Sequence, residues 1–242
     1  MIKKSRMIVA GGLVVVIATA GIAVAGGTGA AENVAAVDGK VTPSKLDKKK
    51  FKPINLLVGV RNSKTQIDGL QENPAAEFIA MSKNVKINLS KAPRCTADLP
   101  NGIPTAQAKA ACPPKSYLGG GVAEVTAPGP TVIAEPVVSV FNGPGKNQLR
   151  LHTYDSDLGA ASPIVNGRIV NAPGKFGQAL SVPEAPETGG VMITKFNAKL
   201  LKKRKVATAK CKPKQIKYKR TVTYDDASKE SVTRTQKCKV KR

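Results

Sequence analysis

The hydrophobic and polar residues along the chain alternate in the way that is typical of short β-strands separated by turns. Apolar and polar residues alternate cleanly over 85–89, and other segments have the apolar density and length of strands. These segments are 54–60, 122–126, 131–141, 148–154, 164–170, 179–182 and 191–196. Stretches rich in Pro and Gly separate them, as in antiparallel sandwiches and barrels. The pattern predicts an all-β fold, with an antiparallel β-sandwich over residues 51–196.

One short helix is predicted, over residues 105–111. Pro104 precedes this alanine-rich segment, and Pro113 and Pro114 follow it. A helix of two turns is not stable alone, so we expect it to be held against a strand.

The C-terminal segment 197–242, called here the basic module, has the pattern of a β-hairpin. Over residues 215–224 one face carries Ile216, Tyr218, Val222 and Tyr224, interrupted by Arg220. The other face carries Lys217, Lys219 and two threonines. A polar turn at 225–230 leads to a second strand at 231–239. The pattern predicts a hairpin with one apolar and one basic side, either in a domain of its own or as part of the sandwich.

The N-terminal residues 1–25 have the features of a signal peptide. A short basic leader precedes an apolar segment from Met7, which ends in Ala23-Val24-Ala25, an A-x-A cleavage site. We expect cleavage after Ala25. The alternative is a retained membrane anchor, since the apolar run approaches the roughly 20 residues that cross a bilayer. Glycines dilute the run and favour cleavage. Residues 26–50, rich in Gly, Ala and Lys, are predicted to form a flexible linker. We therefore expect a secreted or wall-associated protein with no stable membrane insertion after cleavage.

Four cysteines are present, Cys95, Cys112, Cys211 and Cys238. An even number in an exported chain predicts disulfides. Pairing Cys95 with Cys112 and Cys211 with Cys238 closes two local loops and is the pairing that we expect. A four-thiolate zinc site is the alternative, but such sites normally have C-x2–4-C spacing, which is absent from the sequence.

Composition restricts the core and locates the charge. The chain has no Trp, five Phe and four Tyr, so its core must consist mainly of aliphatic side chains. The net charge is +23, and residues 195–242 hold 18 Lys or Arg against three acidic residues. Such a charge attracts polyanions, and the predicted partners are anionic polymers of the cell envelope. A merely solubilising basic face is the alternative.

The predicted polyanion-binding residues are Lys217, Lys219, Lys237 and Lys239. If the first two lay opposite the last two across the hairpin, the facing charges would destabilise it unless they were solvated or paired with anions. Binding of cytoplasmic nucleic acid is disfavoured by the signal peptide, and the module offers only Tyr218 and Tyr224 for base stacking.

The chain contains no motif that predicts a catalytic, cofactor or metal site. His152 is the single histidine, and the strand pattern places it on a polar face with Arg150 and Tyr154. Asp155-Ser156-Asp157 resembles the start of a calcium loop but lacks the ligand and the glycine that should follow, so a solvated turn is favoured. Glycine runs at 119–121 and 143–146 do not match a phosphate-binding loop and are expected to be turns or bulges.

Several segments together resemble uncharacterised exported proteins of high-GC Gram-positive bacteria. These are Val85-Lys86-Ile87-Asn88 with Pro93-Arg94-Cys95, Ala111-Cys112-Pro113 with Gly119-Gly120-Gly121, Val140-Phe141-Asn142-Gly143, Leu149-Arg150-Leu151-His152, and Tyr224-Asp225-Asp226 between the last two cysteines. The resemblance covers most of the chain after the signal. It implies export, paired cysteines and a β-rich fold, and it implies no particular activity.

The expected function is non-enzymatic: a secreted or wall-associated structural or binding protein. The alternative is a secreted hydrolase acting on envelope carbohydrate or lipid, with His152, Asp155 and Asp157 near its site. A hydrolase needs a pocket in which His152 meets a carboxylate, whereas a binding protein needs only a charged face.

Overall fold

The structure, a computed structural model, describes residues 36–62, 74–126, 132–159, 164–183, 192–224 and 227–241. The predicted signal peptide and its cleavage site lie outside the described residues, as do Asp225 and Asp226 of the predicted hairpin turn.

Strands dominate the described residues, and the single α-helix among them is the predicted one, α1 (Thr105–Ala111). The strands, in chain order, are β1 (Ala36–Thr42), β2 (Lys45–Leu46), β3 (Lys52–Pro53), β4 (Asn55–Arg61), β5 (Pro74–Ser82), β6 (Val85–Ile87), β7 (Tyr117–Thr126), β8 (Val132–Ala134), β9 (Val137–Asn142), β10 (Gln148–Tyr154), β11 (Ile164–Asn171), β12 (Phe176–Val182), β13 (Met192–Leu200), β14 (Ala207–Ala209), β15 (Gln215–Tyr224), β16 (Lys229–Lys237) and β17 (Lys239–Val240). Single 3₁₀ turns occupy Leu89–Lys91 and Lys202–Arg204.

Most strands belong to one antiparallel sheet with the order β1-β4-β13-β7-β9-β10-β11-β12-β5-β15-β16, and β8 pairs with β7. Two small sheets accompany it: β3-β14-β6, which is antiparallel, and β2-β17, which is parallel. The predicted all-β, antiparallel fold with a disulfide-tied C-terminal hairpin is confirmed. The hairpin β15–β16 continues the main sheet, because β15 pairs with β5 from Tyr218 to Tyr224.

The N-terminal end of the described chain forms part of this sheet. All seven residues of β1 pair with β4, and Val37 and Val41 are buried. Leu46 of β2 is also buried. The segment 26–50 was predicted to be a flexible linker, but the structure places the ordered strands β1 and β2 between residues 36 and 46. Burial of these apolar side chains on the sheet stabilises strands whose Gly- and Lys-rich sequence has little strand propensity of its own.

One face of the main sheet encloses an aliphatic core. In β15 every second residue from Ile216 to Tyr224 is buried, as the alternation in the sequence predicts. Leu149, Leu151 and Ile169 contribute from β10 and β11, and with Val140 and Ala198 they line an apolar cavity of about 50 Å³.

The first and last strands of the main sheet meet along a seam between β1 and β16. The side-chain amide of Gln236 accepts a hydrogen bond from the Val41 backbone N–H at 2.7 Å and donates one to the Val41 carbonyl oxygen at 3.0 Å. Beside it the Tyr218 ring lies over Gly39, where a Cβ atom would come within 2.3 Å of the ring. A residue without a side chain is therefore required at position 39.

A buried arginine joins the hairpin to its neighbour β5 and, across the seam, to the end of β4. Arg220 has no exposed surface, and its guanidinium forms an ion pair with Glu77 of β5. It also donates hydrogen bonds to the Asn62 side-chain oxygen and, at 2.8 Å, to the Arg61 carbonyl oxygen. The residue that interrupts the apolar face of the predicted hairpin thus occupies a polar network inside the protein.

Both predicted disulfides are present, Cys95–Cys112 and Cys211–Cys238, and all four cysteines are paired. The pairing leaves no thiolate for the alternative zinc site. Paired cysteines are typical of proteins that reside in an oxidising environment outside the cytoplasm. Within the described ranges no helix has the length and apolar character needed to cross a membrane.

Candidate polyanion-binding surface

Three of the four predicted polyanion-binding lysines lie on the outer face of the hairpin. The register pairs Lys217 with Thr235, Lys219 with Thr233, and Lys237 with Gln215. The lysines therefore do not face one another directly, and the repulsion considered for that arrangement does not arise. Lys237 is exposed, whereas Lys217 and Lys219 are partly covered along their stems.

The outer face of the hairpin carries no carboxylate among its described residues. It consists of Gln215, Lys217, Lys219, Thr221 and Thr223 from β15, and Lys229, Ser231, Thr233, Thr235 and Lys237 from β16. Glu230 faces the opposite side, where its carboxylate accepts a hydrogen bond from the Tyr224 hydroxyl at 3.1 Å. In the described part of the hairpin the charges are thus separated, with lysines on the outer face and Glu230 turned away from them.

The fourth predicted lysine, Lys239, lies in β17 and pairs with Lys45 of β2. Both side chains are exposed, whereas their neighbours Leu46 and Val240 pack on the core. Two like charges are thereby held side by side. This pairing brings β2 against the last strand of the basic module.

A second group of lysines, which the sequence did not single out, surrounds Phe51. The Lys86 ammonium nitrogen lies 4.6 Å from the centre of the Phe51 ring, and the Lys210 nitrogen lies 4.9 Å from it. Lys52, in the next position, pairs with Ala209 of the same three-stranded sheet. The run Asp47-Lys48-Lys49-Lys50-Phe51-Lys52 signals this cluster in the sequence, but Lys86 and Lys210 are distant along the chain.

Asp47 orders the turn that precedes Phe51. Its carboxylate accepts hydrogen bonds from the backbone N–H groups of Lys50 at 2.7 Å and Lys49 at 2.8 Å. These bonds, with the nearby charges of Lys52 and Lys50, lower the pKa of Asp47. Its carbonyl oxygen accepts a hydrogen bond from the Cys211 N–H at 2.8 Å. The turn and its lysines are therefore fixed beside the second disulfide.

His152 is buried beneath the segment that carries α1. Its Nε2 atom lies 2.7 Å from the Ile103 carbonyl oxygen, and its ring meets Phe141 edge to face at 6.5 Å. Desolvation lowers the pKa of His152, so the imidazole is neutral at pH 7. Arg150 and His152 share the face opposite Leu149 and Leu151, as predicted, but this face is covered and not a polar surface, since His152 has no exposed surface. Arg150 donates a hydrogen bond to the Ala97 carbonyl oxygen at 2.7 Å within the same covered face.

The structure does not join the candidate hydrolase residues into one constellation. Of the described side chains, none with a carboxylate hydrogen-bonds His152. Asp155 instead accepts a hydrogen bond from the Asp157 backbone N–H at 2.9 Å, which forms the predicted turn. No group of three or more His, Cys, Asp or Glu side chains suited to a metal ion occurs in the part of the chain that the structure describes.

The two glycine runs have structural roles, one within a strand and one in a turn. Residues 119–121 lie within β7, and a Cβ atom on Gly121 would come within 1.9 Å of the Asn197 carbonyl oxygen. They therefore allow β7 to lie close to its neighbours inside the sheet. The register between β7 and β9 shifts between Tyr117 and Gly119, in agreement with the predicted bulge. Residues 143–146 form the predicted turn between β9 and β10, closed by a hydrogen bond from Gly143 N–H to the Gln148 carbonyl oxygen at 2.7 Å.

The sequence matches no protein-family model, and a search of curated proteins yields no significant match.

Proposed function

We propose that this is an exported, non-enzymatic protein that associates with anionic polymers of the cell envelope through the outer face of the hairpin β15–β16. The observation that supports this proposal best is the separation of charge on the hairpin. Lys217, Lys219 and Lys237 lie on a face whose described residues include no carboxylate, and the acidic Glu230 is turned away to Tyr224. A solubilising surface needs no such separation.

The rigidity of this face also supports binding. The hairpin is anchored inside the protein by Arg220 and at the seam by Gln236, and its base is tied by the Cys211–Cys238 disulfide. A face that is already ordered loses little conformational freedom when a polymer binds. Many weak ammonium contacts on a rigid face give affinity without strong selectivity for sequence or sugar.

Export is the premise of this function, and the A-x-A site is its sequence basis. Sequencing the N-terminus of protein recovered from the medium or the wall should find Gly26 as the first residue. Recovery of a chain that begins at Met1 in the membrane fraction would instead support the retained anchor.

Replacement of the four predicted lysines, Lys217, Lys219, Lys237 and Lys239, by Gln should weaken binding to isolated cell walls. We expect binding of the parent to fall steeply between 0.05 and 0.5 M salt, because screening shortens toward roughly 3 Å at 1 M. The fold should persist, because these side chains point away from the core.

A control variant removes the same charge elsewhere, by replacing the four exposed lysines Lys91, Lys115, Lys146 and Lys175 with Gln. If the control loses as much wall binding as the hairpin variant, net charge and not this face governs association. If the parent shows no salt-sensitive association with the wall, the lysines only aid solubility and the proposed function is wrong.

A further inference from the structure

We infer that the lysine cluster around Phe51 is a separate binding site for phosphate groups, such as those of a phosphodiester polymer. Both this inference and the proposed function take anion binding by the basic surface as a premise. The site itself uses Phe51, Lys86 and Lys210, and none of the hairpin lysines.

The geometry holds positive charges close together without neutralising them. The ammonium groups of Lys86 and Lys210 each lie within 5 Å of the centre of the Phe51 ring, and are therefore within about 10 Å of one another. That distance is close to the Debye length at 0.1 M salt, so each group feels the field of the other. Neither lysine forms an ion pair with a described residue. An anion between them would relieve this repulsion.

Phe51 explains how the two lysines are held in place. An ammonium group near an aromatic face is attracted by the quadrupole of the ring, and two such contacts on one ring restrict two long side chains. The backbone below is rigid, because Thr208 pairs with Lys86 and with Pro53 in the small sheet β3-β14-β6. The Phe51 ring is only half-buried, so the cluster remains open to solvent.

The composition of the cluster favours phosphate over carboxylate. Its cations are two lysines from separate chain segments, and among the described residues no arginine meets Phe51. The planar fork of arginine matches the planar carboxylate, whereas separate ammonium groups act as point charges that contact the oxygens of a tetrahedral phosphate from several directions. Lys48, Lys49 and Lys50, on the turn fixed by Asp47, extend the positive field along a path that a polymer could follow.

The first test measures binding of tripolyphosphate to the full-length mature protein by titration calorimetry at 50 mM salt. The variant Lys86→Gln/Lys210→Gln should bind about tenfold more weakly than the parent, since each ammonium contributes a factor of several near the surface. The control Lys115→Gln/Lys146→Gln removes the same charge at two exposed positions near the first disulfide and should change the affinity less than twofold. Equal losses in both double variants would overturn the inference.

A second variant, Phe51→Leu, keeps every charge and removes the ring. It should weaken tripolyphosphate binding several-fold while far-UV circular dichroism and the melting temperature show an intact fold. Unchanged affinity in a folded Phe51→Leu protein would show that the ring does not organise the site, and would overturn this assignment.

Ligand competition identifies the source of the phosphate. A poly(glycerol phosphate) chain should displace tripolyphosphate from the parent better than polyglutamate with the same number of charges. Equal competition by polyglutamate, or tighter binding of a single-stranded oligonucleotide of matched charge, would overturn the choice of a phosphodiester polymer without nucleobases. The proposed function is judged independently, by wall binding of the hairpin variant, so either one can fail without the other.

Discussion

Replacement of the buried Arg220 by Met should destabilise the protein strongly. The side chain has no exposed surface, and the guanidinium serves Glu77, Asn62 and the Arg61 carbonyl oxygen. Met fills a similar volume but leaves these partners without a donor. Removing one member of a buried ion pair costs about 3–5 kcal/mol, because the other charge stays behind uncompensated. The Glu77 side chain is 16% exposed and keeps part of its hydration, so we expect about 3 kcal/mol.

Thermal unfolding followed by far-UV circular dichroism measures this effect, because the chain has no Trp for fluorescence. At roughly 2–4 °C per kcal/mol for a domain of this size, the melting temperature should fall by about 6–12 °C. The control is Arg234→Met, which makes the same change at an exposed position opposite Tyr218 in the same hairpin. Exposed substitutions of this kind normally stay within about 0.5 kcal/mol.

The double variant Arg220→Met/Glu77→Gln separates the ion pair from packing. It removes both charges and should recover part of the loss, since the uncompensated carboxylate is gone. If Arg220→Met melts within about 2 °C of Arg234→Met, the buried network contributes little and the reasoning above is refuted.

Three further predictions concern the seam, the cavity and the covered histidine. Gln236→Leu removes two hydrogen bonds and should lower the free energy of unfolding by about 2 kcal/mol and speed amide hydrogen exchange at Val41. Unchanged exchange at Val41 would contradict the role of the seam. Ala198→Val should raise the free energy of unfolding by about 1 kcal/mol, because cavities cost about 24 cal/mol per Å³ and this one is about 50 Å³. A lower denaturation midpoint would mean that the space cannot accept two methyl groups. The folded-state pKa of His152 lies below its unfolded value of about 6.5. As the pH drops below 6.5 the unfolded chain binds the proton first, so this contribution to the stability of the fold should be largest above pH 6.5 and fall below it. In His152→Gln that component of the pH dependence should disappear from denaturant titrations between pH 5 and 7, and its persistence would assign it to other groups.

Local patterns were sufficient to predict many of the elements. The predicted helix 105–111 and the strands at 148–154 and 215–224 coincide with α1, β10 and β15. In these segments prolines limit the helix. Both faces of β10 are covered, since Leu149, Leu151 and His152 are all buried, whereas β15 alternates between buried and partly exposed residues. The alternation directly reflects one-sided packing, so it can be read without knowledge of the partner strands.

Two strands of the main sheet could not be predicted in this way. In β5 four consecutive residues from Ile79 to Ser82 are buried, so burial does not alternate there. In β1 the position of Gly39 depends on the Tyr218 ring, which packs over it. Their conformation depends on neighbours that are distant in the sequence, such as β15 and β12 for β5. The prediction of polyanion-binding residues was limited in the same way. Residue types indicated the hairpin lysines, but the sequence could not show that Lys86 and Lys210 lie beside Phe51.

The seam between β1 and β16 has a consequence for when the protein can fold. Its hydrogen bonds join residues separated by 195 positions, and contacts of such separation form late because a long loop must close first. The contact of β1 with β16 can therefore form only after the C-terminal hairpin β15–β16 is available. If the chain is exported as proposed, its main sheet can therefore close only after the residues of β16 have crossed the membrane.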